Sequence, residues 1–200
     1  MKRRIFLAGA AAMAISTGLS KPSEAIEPSQ AVALVQRVTN EILALIAASG
    51  SQQSKERTFI AIMDRSANMR QIAGFSLGQF ARGMSDAQKA RYIPAFKQLI
   101  AKIFVNRFNE YQGESIEVTR ARDAGRRGVF VEAQARRAGD LPINFGWLVD
   151  DRAGRPLITD LTIEGVSMAQ SQRSEFTAQI AGLGGNLDAF IRQLEQRVGR

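Results

Sequence analysis

At Gly113 the spacing of apolar residues along this 200-residue chain changes period, and that change limits the folds open to it. Upstream, apolar side chains recur at three- and four-residue steps, as on amphipathic helices. Downstream they alternate as far as Ile163, as on strands with one buried face. A helical half must therefore cover a sheet built from a later stretch of chain, which is an α+β arrangement.

The helical half divides into three regions. Val32, Val35, Ile42, Leu45 and Ile46 place a helix from Pro28 to about Ala48, ended by the polar Gly50 to Gln53 stretch. Phe59, Ile62 and Met63, then Met69, Ile72, Phe75 and Leu77, mark a second helical region, divisible at Asp64 to Ser66 and closed by Gly83. Ser85-Asp86-Ala87-Gln88 reads as a capping box that opens a long helix. Its stripe is Tyr92, Phe96, Leu99, Ile100, Ile103, Phe104 and Phe108, and Pro94 is expected to kink or restart it.

Four alternating runs follow: Ile116 and Val118; Val129, Val131, Ala133 and Ala135; Ile143, Phe145, Trp147 and Val149; Leu157, Leu161 and Ile163. Short turn-forming segments at Asp123-Ala124-Gly125, Ala138-Gly139-Asp140 and Asp150 to Gly154 make neighbouring strands antiparallel, so the sheet is a meander. Helical spacing returns with Phe176, Ile180 and Leu183, then Leu187, Phe190, Ile191, Leu194 and Val198, the last helix capped by Asn186.

Residues 1–25 read as a cleaved export signal. Lys2, Arg3 and Arg4 precede the apolar run Ile5 to Leu19, and Ser23-Glu24-Ala25 is a small-x-small cleavage site, so the mature domain spans 26–200. The run is shorter than the ~20 residues a membrane span needs, and no later segment is apolar enough to cross a membrane. Arg3-Arg4-Ile5-Phe6-Leu7 also resembles a twin-arginine signal, which leaves the Sec and twin-arginine routes both open. Without the leader, 23 basic side chains face 18 acidic ones, a net charge of +5 that falls short of a nucleic-acid footprint.

The chain has no His and no Cys. It therefore lacks an imidazole base, a thiolate nucleophile, the ligands zinc prefers, disulfides and a lipid-modified cysteine. Gly74-Phe75-Ser76-Leu77-Gly78 matches the nucleophile elbow G-x-S-x-G, but that motif needs a preceding strand and a His. Read as G-x-x-x-G, it lets a helix approach its neighbour closely. Asp150-Asp151 belongs to a turn, and Arg120, Arg122, Arg126, Arg127, Arg136 and Arg137 bracket one hairpin either as a charged strand edge or as a phosphate-binding patch. An enzyme would have to work with carboxylates, Tyr92, Tyr111, Lys or Ser alone, and no paired constellation suits.

Several blocks resemble the MlaC family of periplasmic phospholipid carriers, also called toluene-tolerance auxiliary proteins. Ile72-Ala73-Gly74-Phe75-Ser76-Leu77-Gly78-Gln79-Phe80 and the following Tyr92-Ile93-Pro94-Ala95-Phe96 are similar to the family's IARFSLGRYW segment and its later Y…AF. Tyr111-Gln112-Gly113, Ile143-Asn144-Phe145-Gly146-Trp147 and Ile163-Glu164-Gly165-Val166-Ser167-Met168, with Arg173 and Phe176, complete the set; the EGVS block is the most specific. Phe80-Ala81 departs from the usual aromatic-Trp pair, and Gly74 stands where a charged residue is common.

The resemblance implies helices folded against a curved sheet with lipid tails held between them, no cofactor, and bound phospholipid as cargo. It also implies partners: an outer-membrane lipoprotein complex and an inner-membrane ABC transporter complex, between which lipid is shuttled to maintain outer-membrane lipid asymmetry. Candidate lipid-contacting residues are Phe75, Phe96 and Ile100 in the helical half, the strand residues Val129, Val131, Ile143, Phe145, Trp147, Leu161 and Ile163, and Val166. Spacing alone favours an ordinary core over a pocket, since any α+β domain has an apolar strand face opposite an apolar helix stripe. A ligand-free envelope adaptor that binds partner proteins through its basic face is the alternative.

Overall fold

The computed structural model of the protein describes residues 26–108, 115–136, 139 and 141–199. Residues 1–25, read from sequence as an export leader, the Tyr111-Gln112-Gly113 block, Arg137, and Ala138 and Asp140 of one turn lie outside the described residues.

Four helices come first: α1 (Pro28–Ala47), α2 (Gln52–Ser66), α3 (Met69–Ser76) and α4 (Asp86–Val105). They start where the chain supplies caps. Ser51 and Asn68 accept from the backbone N–H three residues on, and Ser85 with Gln88 forms the reciprocal capping box. Helix α4 runs unbroken through Pro94; Pro94 and Ala90, whose carbonyl it deprives of a donor, are both exposed residues. At an exposed position solvent is able to take the place of the lost hydrogen bond, and no restart occurs.

An antiparallel sheet follows in sequence order: β1 (Ser115–Asp123), β2 (Val129–Arg136), β3 (Ile143–Asp150), β4 (Leu157–Ile163) and β5 (Val166–Ser167). The meander has five strands where spacing predicts four, because two residues are too few to show alternation. Two bulges bend the sheet. The register slips at Thr119 in β1, so Ala121 joins Ile116 and Val118 on the inner face and Arg120 turns outward opposite Glu132. It slips again at Thr159 in β4, so Ile158 rather than Leu157 pairs with Val149 and joins Trp147 and Leu161 inside. Helices α5 (Met168–Gly182) and α6 (Leu187–Gly199) end the fold; Asn186 caps α6 by accepting from Ala189 N–H at 2.9 Å.

The helices stand on the sheet unevenly. Helix α1 rests mainly on β1 and β2, while α3 and α5 rest on β4. Helices α2 and α4 pack on each other, and α6 packs on α4, as a layer further out. Opposite the middle of the sheet, at Phe145 and Trp147 of β3, the two layers enclose an open space. Its closed end is fastened by the backbone: between α2 and α3, Ala67 bridges Ile158, and Asn68 N–H donates to the Ile158 carbonyl at 2.8 Å.

The turn from β1 to β2 depends on Gly128, at φ 99°, where a Cβ would lie 2.1 Å from the Val149 carbonyl oxygen. Gly125, at φ 61° in the same turn, has nothing within 4 Å of its would-be Cβ. Gly128→Ala is expected to lower stability by about 3 kcal/mol or more, and Gly125→Ala by only about 1 kcal/mol. Urea melts of the two variants check the ordering, and equal midpoints would contradict it.

Candidate functional site

The space is a cavity of about 320 Å³ with an almost wholly apolar lining. Its roof is the α4 stripe of Phe96, Ile100, Ile103 and Phe104, with Phe59 and Met63 of α2. Its floor is Phe145 and Trp147 of β3 with Ile158, Leu161 and Ile163 of β4, and Ile42, Leu43 and Ile46 of α1 form one wall. The volume lies at the lower end of the roughly 300–1,000 Å³ common for small-molecule sites.

Six of the residues picked from sequence meet here: Phe96, Ile100, Phe145, Trp147, Leu161 and Ile163. The other five lie elsewhere. Val129 and Val131 are fully buried in the packed core, on a strand that α1 contacts. Ile143 is half-buried at the start of β3, and Val166 is 54% exposed beyond the tight turn that follows β4. Phe75 points to solvent, 41% exposed, with the Arg173 guanidinium 4.8 Å above its ring.

Sequence reasoning missed Ile158, Met63 and the α1 wall. Period-2 counting across a bulge assigns Leu157 to the inner face, so no sequence signal pointed to Ile158. Ile42 and Ile46 were visible as an apolar stripe, but only packing shows which part of that stripe borders empty space.

What keeps the roof off the floor is a cluster of aromatic rings. Tyr92 and Phe96 of α4, Phe176 of α5 and Phe190 of α6 have ring centroids 4.8–6.5 Å apart in tilted and edge-on pairs. Burial pushes the Tyr92 hydroxyl well above its ordinary pKa, so it stays neutral. The hydroxyl lies 2.7 Å from Ser76 Oγ and donates to the Ala73 carbonyl at 3.0 Å. Ser76 is therefore a buried link between α3 and α4, with no base nearby.

The glycine motif is close-packed at one end only. A Cβ on Gly78 would meet Thr177 Cγ2 of α5 at 2.8 Å, whereas Gly74 has nothing within 4 Å.

The EGVS block builds the sheet edge next to the opening. Glu164 (φ 49°) and Gly165 (φ 77°) form a two-residue turn with both φ angles positive. The Glu164 carboxylate accepts from Asn144 N–H at 2.5 Å, tying the turn to β3. Ser167 caps α5 by accepting from Gln170 N–H, and its hydroxyl donates to Asp160 at 2.5 Å. Asp160 also accepts from Ala169 N–H at 3.1 Å, so α5 leaves the sheet in a fixed direction along the cavity.

The lining is polar only in places. Asp160 and Gln172 are largely covered, while Arg107, Ser171 and Glu175 are exposed and mark where the cavity meets solvent. Two buried wall atoms, Thr39 Oγ1 and Trp147 Nε1, have no hydrogen-bond partner among the described residues. Those residues hold no group of three or more metal-ligating side chains, and no helix among them is long and apolar enough to cross a membrane.

On the outer face of the sheet, Arg122 pairs with Glu132 at 3.2 Å and lies 4.5 Å over the Phe130 ring. Asp150 is buried and accepts from Arg152 N–H at 3.2 Å and Nε–H at 2.8 Å, as a turn residue does.

Fold and cavity together define a class: an α+β protein whose helices hold an apolar cavity open over a curved antiparallel sheet. The profile of one family, described as MlaC protein, matches residues 36–196, and the chain belongs to the MlaC family. A search of curated proteins gives no match. Among solved structures, a phospholipid-binding protein from Ralstonia solanacearum, determined in complex with a phospholipid, has the same fold. The TM-score is 0.74 at 17% identity, with 86% of this chain and 99% of that one covered.

The role of Ser76 is open to a direct check. Ser76→Ala removes the hydroxyl's contacts with the Ala73 carbonyl at 2.8 Å and the Tyr92 hydroxyl at 2.7 Å yet leaves Tyr92 its own carbonyl acceptor, so stability is expected to fall by about 1–2 kcal/mol with ligand capacity unchanged. Thermal melts beside a lipid-loading assay read both; loss of loading in a folded variant would contradict this assignment.

Proposed function

We propose that this protein is a non-enzymatic carrier of phospholipid, with acyl chains in the cavity between α4 and the β3–β4 floor and the headgroup at the solvent-facing mouth. The observation that carries this reading is the apolar cavity over Phe145 and Trp147 in a chain of the MlaC family. The likeness to a fold that holds a phospholipid in Ralstonia solanacearum supports it. The unpartnered Trp147 Nε1 supports it too, because an ordinary core satisfies nearly all its buried donors.

Energetics state what such a carrier must supply. Moving a two-chain lipid through water exposes about 30 methylenes at ~0.8 kcal/mol each, on the order of 20 kcal/mol. An apolar cavity walled by aromatic and branched side chains offsets that exposure. The carrier works in the periplasm after removal of residues 1–25. There it moves lipid between an outer-membrane lipoprotein complex and an inner-membrane ABC transporter complex, in support of outer-membrane lipid asymmetry.

Mature protein from Ile26 onward is expected to co-purify with glycerophospholipid, read by organic extraction and mass spectrometry. Native, lipid-free protein that also takes up no lipid from vesicles would falsify the carrier reading.

Cavity and core are separated by a pair of substitutions. Trp147→Asp puts a carboxylate on the half-buried floor, where water reaches it through the mouth, so lipid is expected to be lost while the fold persists. Val131→Asp buries an unpaired charge in packed core and is expected to remove several kcal/mol from a stability of about 5–15 kcal/mol, unfolding the domain. Circular dichroism melts alongside lipid counts decide the matter; a folded Trp147→Asp variant with the wild-type lipid ratio contradicts the placement of the acyl chains.

A further inference from the structure

We propose that Arg107 binds the phosphate of the bound lipid at the cavity mouth and thereby favours phosphodiester lipids over neutral lipids with the same tails; this rests on the reading of the cavity as a phospholipid site. Arg107 is the single cation among the described residues that line the cavity. It sits just past the end of α4, in a turn closed by its N–H donating to the Phe104 carbonyl at 3.0 Å. Phe104 and Phe108, on either side of it in sequence, both line the cavity. The Arg107 stem can follow that apolar rim while the guanidinium stays in water.

The two lining carboxylates are occupied by the protein. Asp160 serves Ser167 Oγ and the backbone N–H groups of Leu161 and Ala169. Glu175 accepts from Gln172 at 3.1 Å and Gln179 at 3.0 Å, and pairs with Arg197 at 3.4 Å. Their oxygens are thus committed to fixing α5, as is the Ser171 hydroxyl, which donates to the Ser167 carbonyl at 2.9 Å, and the cation that the described lining offers an anion is Arg107. A phosphodiester whose tails lie under Phe104 carries its charge out of the apolar lining at this place. The planar guanidinium fork matches two of its oxygens, which a Lys ammonium does not.

The test uses delipidated mature protein and phosphatidylcholine vesicles carrying a trace of fluorescent phosphatidylglycerol or fluorescent diacylglycerol of identical tails. Wild type is expected to retain phosphatidylglycerol about tenfold better than diacylglycerol, the scale of one charge-assisted hydrogen-bonded pair. Arg107→Glu is expected to bring phosphatidylglycerol down to the diacylglycerol level or below it without changing diacylglycerol retention, and Arg107→Lys to fall between that variant and wild type. Unchanged phosphatidylglycerol retention in folded Arg107→Glu overturns the role of Arg107 and leaves the carrier reading standing. Equal losses of both lipids also overturn it, by making Arg107 part of the wall. Failure of wild type to take up either probe sinks the carrier reading, and the phosphate site with it.

Discussion

The packing of Tyr92, Phe96, Phe176 and Phe190 against one another is the interaction on which the cavity depends. Protein interiors collapse into apolar gaps wherever side chains are free to do so, because each unfilled volume forfeits dispersion and transfer energy. Here the roof helix α4 is held to α5 and α6 by rings that have already found their partners, so it does not settle onto Phe145 and Trp147. At roughly 24 cal/mol per Å³ of cavity, leaving 320 Å³ unfilled forgoes on the order of several kcal/mol. A bound apolar ligand recovers that energy, which makes folding and loading parts of one balance.

The sheet answers the same constraint from below. Bulges at Thr119 and Thr159 curl it, and α1 rests on its β1–β2 side. On the other side, Ala67 and Asn68 pin the helical layer to Ile158. The helices thus touch the sheet near its edges and stand off its middle. The polar devices of the EGVS block then set the direction of α5: the Glu164-Gly165 turn, the Ser167 cap and the Asp160 clamp. Residues that look like a signature in the chain are, in the fold, the fastening of the cavity's open side.

Much of the architecture was legible because it follows from local rules. The change of period at Gly113, the Ser85–Gln88 box, the Asn186 cap and the turn residues each specify an element or its end within a few positions. The absence of His and Cys needed no coordinates to exclude most catalytic designs. The blocks around Phe75 and Glu164 pointed to the MlaC family before any distance was known. Six residues of the candidate site were legible for the same reason: Phe96 and Ile100 lie on the α4 stripe, and Phe145, Trp147, Leu161 and Ile163 on the alternating strands.

What the chain alone determined, then, is which residues are apolar and on which face of which element they fall, since helix and strand periods are properties of the backbone. Whether an apolar face becomes core or cavity was decided only by tertiary structure. Val131 and Trp147 are paired neighbours on the same inner face, yet one lies in packed core and the other borders open space. That difference is set by where distant helices come to rest, and the position of α4 is fixed by contacts with α5 and α6, some eighty residues or more later in the chain. Phe75 makes the same point in reverse: it lies in the most recognisable motif of the helical half, and the packing of α3 on α5 leaves it on the surface beneath Arg173.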